Sequence, residues 1–137
     1  MDMKLFERVC NTPGVSGYED PAQDVVADVL GTCCDEVTRD PMGNVIGLKK
    51  AAKKPTKGKR PIRAVLAAHV DEIGAMVKHI DDKGFMRFIQ MGGLNPQCVI
   101  SQRVTIHGKK KVRGVIVPPS KNDKDGKIEL DDLRIDT

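Results

Sequence analysis

The segment from Ile62 to Gly74, IRAVLAAHVDEIG, is the most informative stretch of the chain. It opens with a largely apolar run, Ile62 to Ala68, which is typical of a strand covered on both faces of a sheet. His69 and Asp71 follow at the point where this predicted strand ends. A neutral imidazole is a common ligand of divalent metals, and a nearby carboxylate can orient the ring through its second nitrogen. The segment therefore predicts a buried strand followed by half of a metal site.

The predicted position of His69 suits such a site, because ligands of open α/β sheets lie outside the carboxyl ends of the strands. A His-x-Asp pair taken alone is nevertheless more often a structural hydrogen-bonded pair than a metal site. His79 and His107 have strand-like surroundings and no familiar ligand spacing to His69. Context has to decide between the two interpretations.

Two helices are predicted ahead of this segment. Apolar residues recur at helical spacing from Leu5 to Cys10 and again from Val25 to Leu30. Asp20 is the predicted N-cap of the second helix, with Pro21 at its first position, and Gly31 is its predicted stop.

Two strands are predicted next, around Val37 and over Val45 to Leu48, with a tight turn at Asp40 to Asn44. The order helix, helix, strand, strand, buried strand is the opening of an α/β domain.

The character of the chain changes after Gly74. Short β-like runs separated by turn residues suggest a small barrel or sandwich. The predicted strands are Ala75 to Ile80, Phe85 to Gln90, Val99 to His107 and Val112 to Val117. We place the boundary near Ile73-Gly74, which gives an N-terminal segment of an α/β domain over residues 1–73 and a β domain over residues 74–137.

Composition fits a soluble globular chain, with 39% hydrophobic and 31% charged residues among 137. No segment approaches the ~20 apolar residues that span a bilayer, so a cytoplasmic protein with no membrane partner is the default expectation. The four cysteines have no C-x-x-C spacing, and we expect reduced, mostly buried thiols.

The formal charge of +4 is unevenly distributed. Seven Lys/Arg lie between Lys49 and Arg60, a run that can bind phosphates. Pro55, Gly58 and the scarcity of aromatic residues favour a solvated loop over a nucleic-acid site.

Asp123 to Gly126 resembles the middle of a calcium loop, but Lys121 stands where the first carboxylate belongs, so we predict a surface turn.

Several motifs occur in a specific order. They are PGVSGYE at residues 13–19, DPMGNVI at 40–46, AAHVDEIG at 67–74, GFMRF at 84–88 and the pair Gly92-Gly93. Together they closely resemble the N-terminal third of the TET-type metallo-aminopeptidases, a family that also contains glutamyl aminopeptidases and proteins described as endoglucanases. The resemblance runs from about Leu5 to Val117.

The resemblance implies a cytosolic exopeptidase that removes N-terminal residues from peptides with two divalent metal ions, zinc or cobalt. It implies the start of a mixed-sheet zinc-peptidase-like α/β catalytic domain, into which a small β-barrel dimerisation domain is inserted after the His-x-Asp element. Through that barrel, family members form homo-oligomeric hollow particles. By the same resemblance, His69 is a metal ligand and Asp71 is the catalytic carboxylate that orients its ring.

The other metal ligands and the general base of family members lie downstream of the barrel, beyond Thr137. We therefore expect both domains to be incomplete, the metal site to be at most partial, and the chain to be inactive alone, either as part of a longer enzyme or as a naturally short product. Two other classes stay open: a non-catalytic assembly or binding module of the same family, and a nucleic-acid binder using Lys49 to Arg60. Substrate preference, metal identity and particle size are not specified by the sequence.

Overall fold

The computed structural model describes residues 2–53, 57, 60, 62–119 and 128–137. The chain divides into two compact units, Met1–Glu72 and Ile73–Thr137. Among the described residues, no helix combines the length and the apolar character needed to cross a membrane. The calcium-like turn at Asp123 to Gly126 and part of the basic run from Lys49 to Arg60 lie outside the described residues.

The first unit begins with the two predicted helices, α1 (Met3–Cys10) and α2 (Asp20–Cys33). Asp2 begins α1, because its carboxylate accepts from the backbone amides of Lys4 at 3.0 Å and Leu5 at 3.3 Å. Ala22 and Val25 of α2 are the buried residues of these helices. Both predicted helices are therefore confirmed.

The ends of α2 differ from the prediction. Glu19 is the N-cap residue and makes no side-chain capping bond, so Asp20 is the first helical residue and not the cap. The helix also passes Gly31 and ends at Cys33. Leu30 and Cys34 lie over Gly47, since a Cβ there would come within 3.2 Å of Leu30 Cδ1 and 2.7 Å of Cys34 Sγ. This packing on the following hairpin extends the helix past a residue with poor helix propensity.

The hairpin pairs β1 (Glu36–Arg39) with β2 (Val45–Leu48), as predicted. Its turn is organised by Asp40, whose carboxylate accepts from the Met42 amide at 2.9 Å, the Asn44 amide at 2.8 Å and Asn44 Nδ2 at 2.8 Å. The Asn44 side chain, and then the backbone amides, hold the pKa of the Asp40 carboxyl below its ordinary value.

The predicted buried strand from Ile62 to Ala68 is wrong. The run makes no strand pairing among the described residues, and Ile62, Val65 and Leu66 are 97%, 86% and 100% exposed. A strand covered on both faces needs neighbours with which to share its hydrogen bonds. The nearest such contact is an isolated parallel bridge between Val15 and Glu72, which lies beyond the run.

The described residues of the second unit form five strands, a short helix and a 3₁₀ turn. The strands are β3 (Gly74–Ile80), β4 (Met86–Met91), β5 (Arg103–His107), β6 (Lys111–Val117) and β7 (Arg134–Asp136), with the helix α3 (Pro96–Val99) before β5 and the 3₁₀ turn (Leu130–Asp132) before β7. They form one antiparallel sheet in the order β3-β4-β7-β6-β5. The four predicted strands are present, and the molecule is of the mixed α/β class. Closure of this sheet into a barrel stays a prediction.

One strand boundary was predicted wrongly. The chain from Pro96 to Val99 is helical, and the strand expected from Val99 begins only at Arg103. Asn95 caps the helix by accepting from the Gln97 amide at 3.0 Å. An Asn-Pro pair is a helix-start signal, and it outweighs the β-branched residues that follow.

The central strand, β7, was missed by sequence reasoning. Leu133 and Ile135 are 1% and 4% exposed, and they pack with Phe88 and Ile116 in the main hydrophobic cluster. Pairs of Ile135 with Met86 and with Ile116 join β7 to β4 and β6. Because β7 has only three residues, its alternation of apolar and charged side chains is too short to be recognised.

The predicted burial of the cysteines is also wrong. All four are free thiols, but Cys10, Cys33 and Cys98 are exposed and Cys34 is half-buried. Cys10 and Cys33 are the last residues of α1 and α2.

Gly114 of β6 should be the least replaceable glycine of the sheet. A Cβ at this position would lie 2.5 Å from Ile135 Cγ2 and 2.9 Å from the Asp136 carbonyl oxygen. We expect Gly114→Ala to lower the free energy of unfolding of this unit by about 1–3 kcal/mol, because the buried β7 backbone cannot give way. Gly93→Ala is the matched control, since among the described residues no atom beyond its two chain neighbours lies within 4 Å of its Cβ position. Urea unfolding, followed by amide NMR signals of β6 and β7, measures both; equal losses would contradict the expectation.

Asn44→Ala should raise the pKa of Asp40 towards its ordinary value, since it removes the largest cause of the lowering. The folded pKa lies below the unfolded one, so the carboxylate stabilises the turn at pH values above ~4 and this stabilisation is lost as the pH falls through the folded pKa. Carboxyl ¹³C shifts over an acid titration measure the change. Asp35 is the internal control, because its pKa is lowered mainly by the Lys50 backbone amide and should not move.

Candidate metal centre

His69 is the most exposed part of the predicted site. Its side chain is 85% exposed, and the residue directly follows the apolar run from Ile62 to Ala68. The ring therefore projects into solvent, as the metal-site interpretation requires, although the strand expected before it is not paired. Packing does not hold the ring, so its orientation must come from hydrogen bonds.

His69 makes these hydrogen bonds to Asp71. His69 Nδ1 lies 2.9 Å from Asp71 Oδ1 and 3.1 Å from the Asp71 carbonyl oxygen. Both oxygens can only accept, so Nδ1 carries the proton of the neutral ring. The lone pair of the neutral imidazole is then on Nε2, the atom that faces away from Asp71 and is free to bind a cation.

Asp71 is itself held by a second hydrogen bond. The Ser16 hydroxyl donates to Asp71 Oδ2 at 2.8 Å, while Oδ1 faces His69. The Ser16 hydrogen bond, and after it the one from His69, lowers the pKa of the Asp71 carboxyl. Asp71 is therefore an anion at neutral pH, and it accepts the His69 Nδ1–H hydrogen bond as a charged group.

Ser16 belongs to the loop between α1 and α2, residues 13–17, which we call the docking loop. It joins the 71–72 segment through its backbone: the Glu72 amide donates to the Gly14 carbonyl at 2.8 Å, and the Gly14 amide donates to Glu72 Oε1 at 3.0 Å. Val15 and Glu72 form a parallel bridge. The loop thus fixes both neighbouring carboxylates of the His-x-Asp-Glu sequence.

The docking loop rests on α2 through Gly14. This glycine is buried, and a Cβ there would lie 2.9 Å from Ala22 Cβ and 3.5 Å from the Val70 carbonyl oxygen. Sequence reasoning assigned roles to His69 and Asp71 but none to Gly14, Ser16 or Glu72. The available signal was the PGVSGYE motif, which was noticed only as part of a family pattern.

The donor set suits one position of a metal site. The exposed Nε2 of His69, with Nδ1 held by a carboxylate, is the usual arrangement of a histidine ligand and its orienting group. Among the described residues, no three His, Cys, Asp or Glu side chains are grouped closely enough to hold a metal ion. His79 lies in β3 and His107 in β5, as their strand-like surroundings predicted. In the described part of the basic run, the Lys49 ammonium lies 3.5 Å from Asp35.

The fold and this site can now be compared with known proteins. The chain matches the M42 glutamyl aminopeptidase family over residues 43–137, more than half of its length. It therefore belongs to the M42 family of aminopeptidases, which confirms the resemblance stated from the motifs. Enzymes of this family are generally metal-dependent.

A curated relative is the lysyl aminopeptidase of Pyrococcus furiosus, 38% identical over 144 residues. The alignment covers 99% of this chain and 39% of the relative. The chain thus spans about two fifths of the length of this relative.

Solved structures of related proteins have a similar fold over almost all of this chain. The TET aminopeptidase of a marine-sediment Thaumarchaeota archaeon superposes with a TM-score of 0.84 at 26% identity, over 98% of this chain and 38% of that one. The TET1 peptidase of Pyrococcus horikoshii, described as assembling into a tetrahedron or a large octahedral shell, gives 0.76 at 26% identity over 98% and 39%. A Thermotoga maritima protein described as an endoglucanase gives 0.74 at 27% identity over 96% and 37%.

The contact of Gly14 with Ala22 can be tested by a double-mutant cycle. Gly14→Ala should lower the free energy of unfolding of the first unit by about 1–3 kcal/mol through overlap with Ala22. Ala22→Gly should cost about 1 kcal/mol alone, through helix propensity, yet it also makes room for the new methyl group. The double variant should therefore be more stable than the sum of the two losses predicts, by about 0.5–3 kcal/mol.

Ala27→Gly is the control for this cycle, since Ala27 is another α2 alanine and is not within 4 Å of the Gly14 Cβ position. Its loss should add to that of Gly14→Ala. If the losses of Gly14→Ala and Ala22→Gly were also additive, the residue at position 14 would not be in contact with Ala22.

Proposed function

We propose that this chain forms the N-terminal part of an aminopeptidase that removes N-terminal residues from peptides with two divalent metal ions. The observation that carries the proposal is the exposed His69 ring, whose Nδ1 is bound by Asp71 and whose Nε2 is left for a cation. Membership of the M42 family supports the reaction class.

His69 is assigned as a metal ligand through Nε2. Asp71 is assigned as the catalytic carboxylate that holds the ring in the Nδ1–H tautomer and keeps its lone pair directed outward. When bound, a pair of divalent ions such as zinc or cobalt supplies a Lewis acid for the scissile carbonyl and lowers the pKa of a water molecule. The contribution of the described residues is to orient one ligand before any metal arrives.

The remaining ligands are proposed to come from outside the described residues. Zinc sites in enzymes use three protein ligands or more, and the described part of the chain brings only one imidazole to this place. The 137-residue chain alone is accordingly proposed to be inactive. The greater length of the relatives supports the proposal that the remaining ligands lie elsewhere, because the chain spans 39% of the lysyl aminopeptidase.

Residues 1–73 are proposed to belong to the α/β catalytic domain, and residues 74–137 to part of a β-barrel dimerisation domain. The five-stranded antiparallel sheet of the second unit supports the latter assignment. The shells formed by the TET1 peptidase support a homo-oligomer as the working form. The free thiols are compatible with the reducing cytoplasm, where we place the protein.

The metal assignment can be tested with Co²⁺, a paramagnetic ion that broadens NMR signals near its binding site. Addition of Co²⁺ to the purified chain should broaden the His69 ring signals first. His69→Gln should abolish this effect, and Asp71→Asn should weaken the affinity by about 10–100-fold, since an orienting partner is removed. His79→Gln is the matched control and should behave like the parent chain.

Two results would contradict the proposal. Co²⁺ broadening that survives His69→Gln would place the cation elsewhere. Turnover of aminoacyl p-nitroanilides by the 137-residue chain alone would show that its own residues complete the catalytic site.

A further inference from the structure

We propose that Ser16 is a positioning residue for His69, acting through the carboxylate of Asp71. The inference rests on the proposed function, because it concerns the residue assigned there as a metal ligand. The chain of contacts runs from the Ser16 hydroxyl to Asp71 Oδ2, and from Asp71 Oδ1 to His69 Nδ1, with distances of 2.8 and 2.9 Å.

The first step is that His69 has no other restraint among the described residues. Its side chain is 85% exposed, and its hydrogen bonds there are the two that Nδ1 makes to Asp71. An exposed imidazole rotates freely between rotamers. Its direction and its tautomer therefore depend on where the Asp71 carboxylate stands.

The second step is that the Asp71 carboxylate has no strongly preferred orientation of its own. The terminal torsion of an aspartate is broad and roughly two-fold, so the side chain has no strong intrinsic preference for the plane of its carboxylate. The group is also 43% exposed, and packing restrains it only in part. Two hydrogen bonds, one on each oxygen, set that plane, and Ser16 makes the one that does not involve His69.

The third step is that Ser16 is well placed to do this. It is half-buried, and the part of the docking loop just before it is tied to the 71–72 segment through Gly14 and Val15. The position of its Oγ is therefore set by the backbone of the loop. A hydroxyl can donate to an ionised carboxylate without competing for its charge, which a lysine or arginine would do.

The consequence is a specific loss when the hydroxyl is removed. Without it, the Asp71 carboxylate turns and shares its oxygens with water, and the imidazole returns towards the mixture of neutral tautomers that a free ring shows. The fraction of rings with a proton on Nε2 then rises, and those rings cannot bind a cation at that atom. Affinity for a metal at His69 should fall by about tenfold, as for other groups that orient a ligand indirectly.

The experiment is long-range ¹H–¹⁵N NMR of the metal-free chain, which reports which ring nitrogen of His69 carries the proton. The parent chain should show Nδ1–H. Ser16→Ala should show a mixture of tautomers, and Ser16→Thr, which keeps the hydroxyl, should restore the parent signature. Thr12→Ala is the control, because it removes a hydroxyl that donates to the Arg8 carbonyl at 2.7 Å and makes no bond to Asp71.

Backbone amide shifts of α2 check that each variant is folded. If Ser16→Ala does not fold, Ser16→Cys decides, since a thiol of similar size is a much weaker donor and should also release the Nδ1–H tautomer. A folded Ser16→Ala or Ser16→Cys chain that keeps the parent tautomer would overturn the proposal.

Failure of the proposed function gives a different result. In that case His69 would take up no Co²⁺ in any variant, while the tautomer would still change in Ser16→Ala and recover in Ser16→Thr. Co²⁺ binding at His69 with identical affinity in the parent, Ser16→Ala and Ser16→Thr chains would instead overturn the positioning role and leave the metal assignment standing.

Discussion

The docking loop, residues 13–17, is the constraint on which the candidate site depends. The Glu72 amide donates to the Gly14 carbonyl at 2.8 Å and the Gly14 amide donates to the Glu72 carboxylate at 3.0 Å, so the loop is joined to a segment more than fifty residues away in sequence. These bonds place Ser16 against Asp71, and Asp71 places His69. Gly14 also lies against Ala22 of α2. The helix therefore supports the docking loop, and through the loop and Asp71 it supports the exposed His69 ring.

The elements predicted well from sequence are those whose signals are local. The β1–β2 turn is an example: Asp40 accepts from the Met42 amide at 2.9 Å and from the Asn44 amide at 2.8 Å, so the turn depends on residues within five positions of one another. Two of the failures have non-local causes. Gly31 does not stop α2 because packing against β2 continues the helix, and β7 is recognisable only through its partners in β4 and β6.

The candidate site likewise has one contact that is local in sequence and one that is not. A histidine and an aspartate two residues apart are enough to predict their mutual hydrogen bond, which the structure contains at 2.9 Å. No spacing rule connects Ser16 to Asp71, because that contact requires the docking loop to return to the 71–72 segment. The sequence motif around Ser16 carried a family resemblance, but it could not indicate which of its residues contacts the site. Contacts of this kind follow only from the fold.

The exposed apolar run and the single imidazole have a common physical explanation. A strand covered on both faces needs hydrogen-bonding neighbours, and a catalytic metal needs three or more ligands; each requirement calls for residues distant in sequence, and neither is met among the described residues. Leu66, which is fully exposed, lies three residues before His69, so both unmet requirements occur at one place in the first unit. The Ser16–Asp71–His69 contacts depend on neither requirement, because Ser16 contacts Asp71 and Asp71 contacts His69 within the first unit.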